Sequence, residues 1–424
     1  MEYPRIFLYG AGSMWGIGHL TIICAYARGI KKIMPQSDVI IASGAKLTHY
    51  LVQLIPQNVE FIKLPSIMES ELKSFTLSPE KLRMPVEDVF SMRKDILYKI
   101  FTYFKPHVIV VDNAFLGVKK ELRPILEMVH SQRKQKNTQF PIRIYCPQPT
   151  NRVTHTIEKK DIIGEEFMRM LSKNSITDSY DYFFIDLPPE IYWHNYVIPK
   201  KWWPKSILKR IFYPGYVTNH DGESFLKDEG IKRKIRLVNK EKLIIVSCGG
   251  GRDGFEILSL YLKVHPFINI PLKTVLFPGP YMPEEEMEYL QRSIQGKKNL
   301  YIEMFRGETD FSLADWMHAA DLFIGMGGYN TLAEVLITGV RALIIPRHPD
   351  IQEEQFIHCS ILKEKKLVQM VDPRKVNKEI FLKAIHKNLH IRRLNIEKTK
   401  SLVNGSLKAA KRIKALIEAK LKIR

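Results

Sequence analysis

The residues best suited to chemistry lie between Ala320 and Gln355, ADLFIGMGGYNTLAEVLITGVRALIIPRHPDIQEEQ. Gly325, Gly327 and Gly328 follow a short apolar run and allow a tight turn that something else can approach closely. Asn330 or Thr331 is predicted to cap a helix that ends at Gly339. A glycine turn feeding a helix presents backbone N–H groups and the positive end of the helix dipole, which suits a phosphate. Glu334, one turn in, can accept hydrogen bonds from sugar hydroxyls. Together these parts fit a nucleotide. A second reading needs no ligand, because Thr331-Leu-Ala-Glu334 also has the spacing of a capping box.

Two further glycine turns occur. Lys242 to Cys248 reads as a strand and runs into Gly249, Gly250, Gly251, Arg252, Asp253 and Gly254. Three consecutive glycines imply close approach of a ligand or of another backbone. Near the start, GAGSMWGIGHL carries Gly10, Gly12, Gly16 and Gly18 before His19. The spacing departs from GxGxxG, and the strand Asp38 to Ser43 ends without the carboxylate that a nicotinamide cofactor's ribose needs, which argues against a dehydrogenase. His19 sits where a side chain can face a cleft. The buried run Pro106 to Asp112 ends in a carboxylate that, in a parallel sheet, emerges on the same side. Asp112 can then orient His19 as a general base. A structural histidine and a turn-capping aspartate remain the alternative.

These residues need strand ends to hold them, and the pattern supplies them. Strands are predicted at Arg5 to Tyr9, Asp38 to Ser43, Pro106 to Asp112, Ile142 to Tyr145 and Asp181 to Ile185. Helices are predicted at Leu20 to Lys32, Val118 to Val129 and Glu158 to Lys173. The second half repeats the alternation, with strands at Lys242 to Cys248, Lys273 to Phe277, Leu300 to Met304, Leu322 to Ile324 and Ala342 to Ile345. This is an α/β chain with parallel sheets. Pro214-Gly215 and the polar run Asn219 to Glu223 mark the passage between two domains, read as 1–215 and 216–390. A basic tail, 391–424, contains a helix over Ala409 to Ala419. Trp193 to Tyr216 mixes aromatic and basic residues. It reads either as a connector packed between domains or as a membrane or acceptor patch, and the tail as packed helix or lipid-facing surface.

A chain of 424 residues is long for one core. The net charge of +20 favours anionic partners. Four scattered cysteines, Cys24, Cys146, Cys248 and Cys359, form no CxxC pair and read as reduced thiols. No apolar run reaches the roughly 18 residues of a membrane span, and no signal-peptide pattern precedes the first strand. A cytoplasmic protein is expected, with an anionic membrane surface as a candidate peripheral contact on the inner face.

The stretch MGGYNTLAEVLITGVRALIIPR with the following QEEQ resembles the donor-binding segment of glycosyltransferases of the GT-B fold. It is most similar to family 28, which includes the MurG-type N-acetylglucosaminyltransferases. The further anchors GIGHL, VDNAFLGVKKELRPILE, PGYV and VSCGGGRDG resemble a group of predicted glycosyltransferases and run in order through nearly the whole chain. The resemblance implies two Rossmann-like domains facing across a cleft, the first for an acceptor and the second for a nucleotide-diphosphate sugar. It places Gly327, Gly328, Asn330 and Thr331 at the diphosphate, Glu334 on the ribose, and Glu354 and Gln355 on the transferred sugar. It sets Phe305 and Arg306 beside the base, and Gly249, Gly250, Gly251 and Arg252 on the donor side facing the acceptor. Gly16 and Gly18 form the acceptor-side loop, and His19 with Asp112 the catalytic pair. His358 stands where relatives often carry Asn or Arg, and Arg341 where proline is common.

The implied reaction is inverting transfer of N-acetylglucosamine or another hexose, from a donor expected to be UDP-linked, to the hydroxyl of an unidentified glycan, lipid-linked or natural-product acceptor. No Asp-x-Asp occurs, so neither metal nor cofactor is expected. The rivals are a nucleotide-sugar 2-epimerase of the same fold and a basic, non-catalytic protein binding nucleic acid or membrane. Nucleic acid is not expected as a partner, since glycine turns at strand ends do not serve it.

Overall fold

The computed structural model describes residues 3–11, 18–47, 49–69, 77–136, 141–147, 179–192, 205–220, 228–303, 311–350 and 353–421. The chain forms two compact units. One comprises Met1–Leu47, Leu51–Asp221 and Asn404–Arg424; the other comprises Thr48–Tyr50 and Gly222–Val403. The helix expected at Glu158 to Lys173 and the aromatic residues of Trp193 to Trp203 lie outside the described residues.

The first unit contains β1 (Arg5–Gly10), β2 (Asp38–Ser43), β3 (Glu60–Lys63), β4 (Ile67–Glu69) and β5 (Leu77–Pro79). It continues with β6 (Val108–Asp112), β7 (Ile142–Cys146), β8 (Tyr182–Phe184) and β9 (Ile211–Phe212). Seven of these form a parallel sheet in the order β3-β2-β1-β6-β7-β8-β9, while β4 and β5 pair antiparallel apart from it. The inner strands lack polar alternation because both faces are covered; Ile6, Phe7, Leu8 and Tyr9 are all fully buried. Helix α1 (Gly18–Ile33) follows β1 and buries Leu20 to Ala27 throughout.

Helix α2 (Val86–Phe104) brings a cation into this interior. Arg93 Nε and Nη2 donate to the two carboxylate oxygens of Glu121 at 2.7 Å each, and Nη1 donates to Pro65 O at 2.6 Å. The Tyr9 hydroxyl also donates to Glu121. Both charged side chains are 1% exposed. Burial of such a pair is tolerable because the fork geometry and the added hydrogen bonds saturate it.

The second unit contains β10 (Lys242–Ser247), β11 (Leu272–Phe277), β12 (Leu300–Ile302), β13 (Leu322–Gly325), β14 (Ala342–Ile344) and β15 (Gln369–Met370). They form a parallel sheet in the order β12-β11-β10-β13-β14-β15. Helices α3 (Phe255–Val264), α4 (Tyr329–Thr338) and α5 (Glu353–Glu364) follow β10, β13 and β14. Each emerges from the carboxyl end of its strand, as the βα alternation requires.

One segment departs from the sequence reading. Ile211 and Phe212 are not connector but the edge strand β9, and Tyr216 is fully buried. Aromatic side chains in this stretch thus complete a sheet and its cover. In the basic tail, helix α6 (Gly405–Leu421) belongs to the first unit and packs on α1, burying Ala409, Ala410, Ile413, Leu416 and Ile417. Its spacing of small and branched apolar residues makes one side fit a neighbouring helix closely, while Lys411 and Lys414 stay exposed. No helix among the described residues is long and apolar enough to cross a membrane.

Candidate active site

In the first unit the parallel register aligns Gly10 with Asp112. The chain leaving β1 therefore re-enters as α1 beside the carboxyl end of β6. His19, in the first turn of α1, places Nδ1 2.7 Å from Asp112 Oδ2. The His19 side chain is 26% exposed and that of Asp112 7%, so the ring reaches solvent while the carboxylate backs it. Asn113 sets its amide Nδ2 3.3 Å from His19 Nε2. With Asp112 accepting from Nδ1–H, the neutral ring carries its lone pair on Nε2; this tautomer follows from the hydrogen-bond network. Gly18 is the first residue of α1. Gly16 lies outside the described residues.

Behind the pair lies a buried polar set that the sequence did not signal. Tyr26 OH donates to Asp186 Oδ1 at 2.6 Å, and Cys146 Sγ lies 3.4 Å from the same hydroxyl. Burial, reinforced by the negative charge of Asp112, holds the Asp186 carboxyl well above the usual carboxylate range, against the lowering effect of the Tyr26 hydrogen bond. The only hint was a carboxylate directly after an apolar strand.

In the second unit three loops rise from the adjacent strands β10, β13 and β14, where Ser247 is level with Gly325 and Gly325 with Ile344. In the first loop Gly251 has φ 91, and a Cβ there would stand 2.2 Å from Pro278 O. The close approach predicted from three glycines is thus, at Gly251, an approach of backbone. Gly249 and Gly250 leave more room: a Cβ would meet nothing within 4 Å at the former and only the Tyr281 ring, at 3.7 Å, at the latter. Arg252 is half-buried.

In the second loop, α4 begins at Tyr329 with Gly328 as its N-cap, and no side chain caps it. The expected cap at Asn330 or Thr331 is incorrect. Those residues lie inside the first turn, and Glu334 is too far along to close a capping box. A glycine cap offers no side-chain acceptor of its own to the first N–H groups of this ten-residue helix, and a Cβ on Gly328 would meet nothing within 4 Å. Gly327 is the opposite case. A Cβ there would stand 2.1 Å from Cys359 Sγ on α5, so this glycine lets α5 pack under the turn.

Glu334 is only partly covered at the surface, yet it sits low enough for desolvation to push its carboxyl up to about 8. Desolvation is the only cause, and among the described residues nothing pairs with this carboxylate. A sunken carboxyl without partners among the described residues, one turn above a glycine-capped helix start, can receive paired hydroxyls.

The third loop supplies one residue that the sequence reading missed, Arg347. Arg347 forms an ion pair with Asp253 of the glycine loop, and its backbone N–H donates to Gln355 Oε1 at 3.1 Å. Gln355 thereby fixes the loop after β14, and its backbone carbonyl lies 3.6 Å from the Cβ position of Gly327. Glu354, half-buried, is its neighbour on α5. A basic residue just past the proline that follows a buried strand was the available signal for Arg347. His358 is turned inward at 2% exposure, and burial lowers its imidazole to about 4, so it is neutral core. Arg341 binds the carbonyl of Leu389 at 3.1 Å. Phe305 and Arg306 lie outside the described residues.

Residues 250–414 match the model of the glycosyltransferase family 28 C-terminal domain. No curated protein matches the sequence. Among solved structures, the chain is similar to the glycotransferase of kitacinnamycin, at 15% identity and a TM-score of 0.58, covering 99% of this chain and 100% of that one. It is similar to Acinetobacter baumannii MurG, at 11% identity and a TM-score of 0.53, covering 99% of each chain. A Listeria monocytogenes protein described, provisionally, as a UDP-N-acetylglucosamine 2-epimerase aligns at 11% identity and a TM-score of 0.57, over 100% of this chain and 98% of that one. Identities this low establish fold, whereas the family match covers the three loops of the second unit. Residues 250–414 thus match the glycosyltransferase family 28 C-terminal domain, and the chain has the fold of the GT-B glycosyltransferases to which it is similar.

Proposed function

We propose that the protein moves a hexose, with N-acetylglucosamine the first candidate, from a UDP-linked donor to an acceptor hydroxyl, with inversion and without metal or cofactor. The observation that carries this reading is the glycine-capped start of α4 with the unpaired Glu334 one turn above it. The diphosphate lies on the N–H groups around Gly328, Asn330 and Thr331, and the ribose hydroxyls donate to Glu334. Gln355 and Glu354 contact the transferred sugar, with Gly249, Gly250 and Arg252 lining the donor side. Phe305 and Arg306 remain the candidates for the base.

His19 takes the acceptor proton at Nε2 while Asp112 stabilises the resulting imidazolium. As the acceptor oxygen attacks the anomeric carbon, charge grows on the departing diphosphate, where the helix-terminal N–H groups stabilise it. The absence of an Asp-x-Asp motif supports transfer without a divalent cation. Exposed lysines on α6 support peripheral contact with an anionic membrane from the cytoplasmic side.

Thermal-shift measurements with a panel of nucleotide sugars, with and without a chelator, test the donor. A shift with UDP-sugars that survives chelation is expected; no shift with any nucleotide sugar overturns the reading. His19→Ala should reduce turnover at least about 100-fold, the usual worth of a general base, with donor affinity retained. Conversion of the donor to its 2-epimer without acceptor would replace transferase with epimerase.

A further inference from the structure

Asn113 follows the orienting carboxylate in sequence and returns onto the other nitrogen of the same ring. Its Nδ2 stands 3.3 Å from His19 Nε2, while Asp112 Oδ2 holds Nδ1 at 2.7 Å. One neighbour is anionic and the other neutral. The backbone is arranged for this. Asn113 has φ 58, a left-handed conformation that asparagine adopts more readily than most residues. Its N–H donates to Cys146 O at 2.8 Å, and its C=O accepts from Tyr145 OH at 2.7 Å. Strand β7 thus grips residue 113 on both sides of its α-carbon, and the turn delivers the side chain to the ring.

The charges around the ring give the contact a purpose. The titratable groups gathered here are Asp112 on β6, Tyr145 and Cys146 on β7, Tyr26 on α1 and Asp186 beyond β8. Burial pushes Tyr26, Tyr145, Cys146 and Asp186 upward, away from ionisation at neutral pH. Of these groups, Asp112 is the one in direct contact with the ring, at Nδ1. A paired carboxylate favours the imidazolium, which cannot accept a proton. The start of α1 and an amide N–H donated to Nε2 both favour the neutral ring.

We propose that Asn113 is the positioning residue that keeps Nε2 of His19 unprotonated and aimed until an acceptor hydroxyl takes its place on that nitrogen. The inference rests on His19 as the base. In the transfer step the hydroxyl oxygen bonds to the anomeric carbon as its proton passes to Nε2. The bond from that carbon to the diphosphate oxygen breaks, and its electron pair leaves with the diphosphate. The displaced amide gives up its donor role as the ring becomes cationic.

Histidine-selective 13C and 15N labelling of the full chain reads the His19 titration and tautomer without substrate, the His19→Gln spectrum assigning the signal. Asn113→Gly keeps the left-handed turn and removes the amide. Asn113→Asp keeps the shape and replaces the donor by a carboxylate that only accepts. Wild-type His19 should be the Nδ1–H tautomer. Its proton affinity should rise in Asn113→Gly, and about tenfold or more in Asn113→Asp.

The acid limb of UDP release from a UDP-sugar, with water as acceptor, should move to higher pH by the same amount, with donor KM unchanged. A titration unmoved in both variants overturns the inference whatever the activity does. Slower turnover at every pH, without movement of the limb, marks a merely structural residue and also overturns it. If the titration moves as expected but His19→Gln turns over normally, the Asn113 contact stands and the base role of His19 falls.

Discussion

Glu334 shows how a single side chain can report its ligand. Its folded carboxyl titrates at about 8, well above the roughly 4.3 of an exposed glutamate. The unfolded chain therefore releases this proton first as pH rises, and the ligand-free native state loses stability between those values. Hydroxyl donors favour the carboxylate, so UDP-sugar affinity should increase from pH 6.5 to 8.5. Calorimetric titration across that range checks this, and Glu334→Gln should flatten the dependence while weakening binding about tenfold, the worth of a charge-assisted hydrogen bond. The same variant should melt higher than wild type at pH 7.5 without ligand, and equally near pH 4. An unchanged pH dependence in Glu334→Gln would remove the ribose role.

At the scale of elements, tight approach sets what each loop tolerates. Gly327 lies where a methyl would press on Cys359 of α5. Gly327→Ala should cost about 1–3 kcal/mol of stability through overpacking and displace the start of α4. Denaturant unfolding and UDP affinity measure the two effects, and both should fall. In the first unit, Glu121 links α2, β1 and the Pro65 loop through Arg93. Glu121→Gln leaves the Arg93 charge buried without its counterion and should cost about 3–5 kcal/mol. A variant within about 0.5 kcal/mol of wild type in urea titration, the range of ordinary surface changes, would show that this pair is solvated or replaceable.

On the scale of the molecule, the first unit is closed by the end of the chain. α6 covers α1, which carries His19, so the last helix bears on the site through packing rather than contact. Ile413 is fully buried in that interface. Ile413→Ala should destabilise the protein by about 2–5 kcal/mol. Amide protons of α1 should then exchange faster, while those of β10 to β14 keep their protection. Hydrogen exchange resolved by segment distinguishes this from general unfolding.

Much of the architecture was legible because it is local. β2 was read at its observed limits, since Asp38 to Ser43 is an apolar run between a helix and a glycine. The glycine turns after β10 and β13 could be read for the same reason, glycine being the residue that such backbone requires. What the sequence could not decide were distances between residues far apart along the chain. His19 and Asp112 are 93 residues apart, and only the parallel register of β1 and β6 sets them at 2.7 Å. The glycine cap of α4 likewise emerged only from its backbone angles, because Thr331 and Glu334 have the spacing of a cap that the helix does not use. Sequence alone determined which residues could turn, cap, carry charge or accept a proton. Tertiary structure decided which of them were buried together, and so that Glu334 holds its proton, that His358 is core, and that Gly251 yields to backbone.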